Sequence, residues 1–100
     1  MTDEEIITTT KKRLKLYTDD SDVNDELQSM LNGHRASLEL SGVKVSEIQN
    51  SNKYSALLVE SFIIYADSNL FKDTQKNNEL GNVYTSFVIQ MRNAIISEEP

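Results

Sequence analysis

Asp20, Asp22 and Asn24 stand at the spacing of the first three ligands of a calcium-binding loop, and His34 is the one imidazole in the chain. Carboxylate and amide oxygens at that spacing hold calcium when the loop turns on a glycine at its sixth position and closes with a glutamate at its twelfth. Those positions are Asp25 and Leu31, so the calcium reading fails. His34 shares a helical face with Leu27, Leu31 and Leu38, with Met30 beside them. A lone histidine on such an apolar stripe, with no second ligand or nucleophile beside it, reads as a hydrogen-bonded packing residue facing inward or into an interface. The cations Lys11, Lys12, Arg13 and Lys15 gather at one helix end, just before the acidic turn Asp19, Asp20 and Asp22. Two readings of the cations stay open: solvated partners of the helix dipole, or a docking patch for an acidic protein surface.

Other chemistry fails by inventory. The chain has no glycine-rich phosphate loop, no His and carboxylate paired on one face, no Gly-x-Ser-x-Gly elbow and no run with metal-ligand spacing. Lacking cysteine, it has no disulfide, thiolate metal site or thiol nucleophile. The expectation is a protein that is not an enzyme and takes no cofactor or metal. The net charge of -6 repels nucleic acid and anionic membranes, so any DNA contact would have to be local. No helix combines a basic face with helix-turn-helix geometry. No basic-then-apolar leader opens the chain, and its longest apolar run is interrupted by Glu60 and Ser61, too short to span a bilayer. A cytosolic or virion-borne protein is expected.

The elements that would position these residues are helices. Three glycines and one proline in 100 residues suit long helices better than a turn-rich β fold, and the length suits one domain with a modest core. The first helix begins at Asp3: Thr2 and Glu5 form a capping box, and Met1 and Ile6 stand at hydrophobic-staple spacing. Its β-branched middle, Thr8 to Thr10, is intrinsically weak. The second runs from about Val23 to a stop in which Gly42 takes the left-handed C′ position and Leu38 meets Val43. Val43 to Asn52 reads as an irregular connection with at most one turn, at Ser46 to Gln49, and as a candidate contact loop. The third helix, about Asn52 to Asn69, is apolar nearly all round, with a polar stripe of Lys53, Glu60 and Asp67. It is either the central helix or a helix partly buried against another subunit. Phe71 to Asn78 reads as a polar loop, mobile or ordered only by a partner. A fourth helix carries Leu80, Val83, Tyr84, Phe87, Val88, Met91, Ala94 and Ile95 on one stripe, with Arg92 outward and a frayed end from Ser97 to Pro100. The expected fold is all-α, a small four-helix bundle.

Read end to end, the chain resembles the small head-tail connector proteins of tailed bacteriophages, also described as head-completion, adaptor or DNA-packaging proteins. The likeness lies in the order and spacing of short motifs. Lys12-Arg13-Leu14-Lys15-Leu16 closes the first helix, and Asp19-Asp20-Ser21-Asp22 forms an acidic turn. Leu38-Glu39-Leu40-Ser41-Gly42-Val43 ends the second helix; Leu57 to Asn69 contains Ile64-Tyr65-Ala66-Asp67; and the last helix carries Tyr84-Thr85-Ser86-Phe87. The resemblance covers nearly the whole chain. It implies a virion protein, assembled in the host cytoplasm, whose copies form a dodecameric ring under the portal at the capsid vertex. Such a ring extends the DNA channel and joins the head to a tail or stopper protein, with DNA passing through without sequence-specific binding and no membrane involved. On that reading, subunit or portal contacts would fall to Lys11, Lys12, Arg13, Lys15, Val43, Val45, Ile48, Leu57 and Ile64. Asp19, Asp20 and Asp22 would line the channel and repel phosphate. The alternative is a small cytosolic helical regulator, antitoxin-like or an anti-repressor, that binds one protein partner.

Overall fold

The computed structural model describes the backbone of residues 1–70 and 74–98 and the side chains of residues 1–70 and 81–94. Its elements are α1 (Asp3–Arg13), α2 (Ser21–Leu40), α3 (Val45–Asn50), α4 (Ser55–Leu70) and α5 (Thr74–Glu98). The fold is all-helical among the described residues, with one helix more than expected. α1 starts on the expected capping box, the Glu5 amide donating to Thr2 Oγ1 at 3.1 Å and the Thr2 amide to Glu5 Oε1 at 3.2 Å. Its weak middle is held by burial: Thr10 is fully buried and its hydroxyl donates to the Ile6 carbonyl at 2.8 Å.

α2 is capped by Asp20, whose carboxylate accepts from the Asp22 amide. It ends as expected, with the Val43 amide reaching the Leu38 carbonyl and the Gly42 amide the Glu39 carbonyl, both at 3.0 Å. Gly42 has φ 89°, and a Cβ there would stand 3.3 Å from the Arg92 side chain. Because Arg92 is exposed and can shift, the backbone strain dominates. Gly42→Ala is expected to lower stability by about 1–2 kcal/mol in urea denaturation. α1 closes with the same pair of bonds, Leu16 amide to Lys11 carbonyl and Lys15 amide to Lys12 carbonyl. There the left-handed position, φ 57°, belongs to Lys15.

The expected irregular connection is corrected by α3. Val45 and Ile48, three positions apart, are both buried and form part of the core. No side chain caps this six-residue helix, and a helix so short is stable only through tertiary packing. α5 begins at Thr74 and runs through Glu98, so Thr74 to Asn78 are helical rather than loop. Phe71 to Asp73, and the chain end Glu99 and Pro100, lie outside the described residues.

α4 is the central helix, packing against α1, α2, α3 and α5. This position explains its apolar circumference and corrects the expected polar stripe. Glu60 turns to Arg13 of α1, and Asp67 is buried. α1 lies antiparallel to α2. Asp3 meets Gln28 and Arg35, and Lys11 meets Asn24, its ammonium donating to Oδ1 at 2.9 Å.

Candidate functional site

Three places gather polar chemistry: a buried junction of α2, α4 and α5, the surface where α1 ends and α2 begins, and a clasp at the start of the chain. At the junction, His34 has no exposed surface and sits among the rings of Phe62, Tyr65 and Tyr84, with centroids 5.8, 5.2 and 5.5 Å away. Ser61 Oγ, also fully buried, donates its hydrogen to the Leu58 carbonyl at 2.9 Å. It therefore accepts from the imidazole Nε2–H, 3.0 Å away. That assigns the tautomer: Nδ1 is unprotonated and accepts from the Tyr84 hydroxyl at 3.0 Å. Ser37 of α2 and Tyr84 line the same cleft beside this junction. Burial first, and the Arg35 charge second, hold the imidazole pKa down at about 4. Burial likewise raises that of Tyr84.

The expectation that His34 faces inward is met, and the structure supplies the partners, Ser61 and Tyr84, that the sequence reading did not name. A serine whose hydrogen points at a carbonyl is not activated by the neighbouring imidazole. The cluster instead joins three helices through hydrogen bonds satisfied at both imidazole nitrogens.

At the surface, the structure brings together residues that the sequence reading had given to different tasks. Lys11, Lys12 and Asp19 line one groove of about 430 Å³ with Thr8, Leu16, Tyr17 and Thr18. Lys11 and Asp19 also line an adjoining groove of about 470 Å³ that reaches Asn24, Asp25 and Gln28. Tyr17 stands at this end with 83% of its surface exposed. Arg13 is turned away into a two-pronged pair with Glu60, at 2.7 and 3.0 Å. Lys12 and Lys15 are exposed, and Lys15 also makes the turn that ends α1. Asp19 and Asp22 are exposed, whereas Asp20 is spent on the α2 cap. Asn24, the third residue of the calcium-like spacing, accepts from Lys11. Among the described residues no group of three or more His, Asp or Glu side chains could hold a metal ion.

The remaining candidate contacts divide by burial. Val43, Val45 and Ile48 are 3%, 5% and 0% exposed. They are corrected from outward contacts to core residues: α3 turns Val45 and Ile48 onto the other helices, and Val43 lies in the turn that ends α2. Leu57 and Ile64 of α4 are partly buried and keep some surface. A third polar cluster, not anticipated, clasps the start of the chain. Arg35 holds Asp3 with two bonds of 2.7 and 2.9 Å while Gln28 and Gln49 donate to the same carboxylate, and Arg35 keeps the carboxyl pKa down at about 2.

No family model, curated protein or solved structure matches the chain. Among the described residues no helix is long and apolar enough to cross a membrane.

Proposed function

We propose that the protein is a structural head-tail connector, a subunit of a ring that docks under a phage portal and carries the DNA channel toward the tail. The observation that carries this reading is the groove formed by α1 and the connection that follows it. There an exposed tyrosine, Tyr17, shares the lining with Lys11, Lys12 and Asp19. Tyrosine bordered by charges of both signs is typical of protein contact surfaces, where aromatic anchors supply affinity and charges set orientation. The resemblance in motif order along nearly the whole chain supports the same reading, as does the expectation that the protein carries no catalytic machinery.

The test is co-sedimentation of the purified protein with DNA-filled, portal-bearing capsids, with portal-less capsids as the control. The expected result is saturable binding of about one ring of copies to the portal-bearing particles alone, as closure by one repeated heterologous contact requires. Tyr17→Ala should weaken that binding by roughly 30-fold or more while leaving helix content unchanged. Binding to neither particle would overturn the proposal in favour of the regulator.

A further inference from the structure

α5 is attached unequally along its length. Toward its C-terminal half, Met91 and Ala94 are buried and Arg92 Nη1 donates to the Ser41 carbonyl at 3.2 Å. In the stretch Gly81 to Phe87 packing is looser. Val83 is 44% exposed, and a Cβ on Gly81 would meet nothing within 4 Å. A cleft of about 290 Å³ also runs past Gly81 and Tyr84, against Ile64 and Tyr65 of α4 and Ser37 of α2. The Tyr84 hydroxyl crosses to His34 at the inner side of this stretch.

We infer that protonation of His34 is a switch that releases the Gly81–Phe87 stretch of α5 from α2 and α4, because an imidazolium in this fully buried junction meets only uncharged hydroxyls. In the neutral ring, Nδ1 receives the tyrosine hydrogen and Nε2–H is already given to Ser61. An added proton falls on Nδ1, and the Tyr84 hydroxyl must turn to accept from it, giving up its own hydrogen's partner while the charge stays buried. The groups facing the ring are Ser61, Phe62 and Tyr65 from α4 and Tyr84 from α5, and the charge of Arg35 on α2 bears on it unfavourably. None is an anion between pH 4 and 7, so a buried imidazolium gains no counter-ion from them.

Opening returns the imidazole to water and to its ordinary pKa of 6.5, against about 4 when closed. The open form binds the proton more tightly, so it gains over the closed form as pH falls from 6.5 to about 4, by about tenfold per unit and about 300-fold across the window. Below that window both forms are protonated and the gain stops. Above pH 6.5 neither form is charged, and the closed form is favoured.

The experiment is amide hydrogen exchange on the full chain between pH 7 and 4, with rates corrected for the intrinsic pH dependence of exchange. Opening of the Gly81–Phe87 amides should rise by about 100-fold or more relative to those of Met91–Ala94, and His34→Gln should leave the ratio flat. The same rise in His34→Gln, or an equal loss of protection at Leu27–Leu31, would overturn the switch, since the loss would then be independent of His34 or global. Tyr84→Phe keeps the ring and His34 and removes only the hydroxyl. It should raise opening of the same stretch by roughly fivefold already at pH 7, and unchanged protection there would equally overturn the inference.

Discussion

Replacing Ile48 with alanine is expected to lower the unfolding free energy by about 2–5 kcal/mol in chemical denaturation, while Glu47→Ala, one residue away, changes it by less than about 0.5 kcal/mol. Ile48 has no exposed surface and belongs to the core, whereas Glu47 is exposed. The contrast follows from α3 itself. Six residues without a side-chain cap do not hold a helix in water, so the buried face of Val45 and Ile48 must supply what local bonding lacks. An irregular outward loop would predict the opposite pattern, with both changes near neutral for the isolated subunit and Ile48→Ala harmful only to assembly. A loss below about 0.5 kcal/mol at Ile48 would therefore remove α3 from the core.

The parts of the fold legible in the sequence are those whose causes are local. Thr2 and Glu5 cap each other across three residues, and Leu38, Gly42 and Val43 end α2 within six, so both boundaries could be read from residue types alone. The end of α1 uses the same geometry, but Lys15 occupies the position that glycine would have marked, and the signal vanishes. α3 was missed because Lys44 offers no capping side chain and Ile48 finds its cover on other helices. The start of α5 was missed because apolar periodicity says nothing about a polar stretch, although Gln75, Lys76 and Glu79 are good helix formers. The inward turn of His34 was visible in its stripe. Its partners lie 27 and 50 residues away, and only the packing of α4 and α5 brings them to it. Asp67 was misplaced for a related reason: sevenfold spacing names a face of α4 but not which neighbour covers it.

That ambiguity about faces makes α4 the place to separate folding from contact. Phe62→Ala is expected to destabilise the subunit by about 3–5 kcal/mol, whereas Ile64→Ala should cost about 1 kcal/mol, both measured by urea denaturation. The two residues are two positions apart, about 200° around the helix, and so face different neighbours. Phe62 is fully buried and forms a wall of the His34 junction, with its ring 5.8 Å from the imidazole. Ile64 is partly buried and lines the cleft beside Tyr65 and Tyr84. A failure of Phe62→Ala to bind portal-bearing capsids would reflect unfolding and carry no information about the interface. Ile64→Ala, still folded, is informative because the connector reading gives this residue to a contact. Binding weakened well beyond its small stability loss would place this face of α4 in the assembly. Unchanged binding would remove it and leave the contact to the Tyr17 groove. A stability loss as large as that at Phe62 would mean instead that α4 buries both faces within its own subunit, as a purely central helix does.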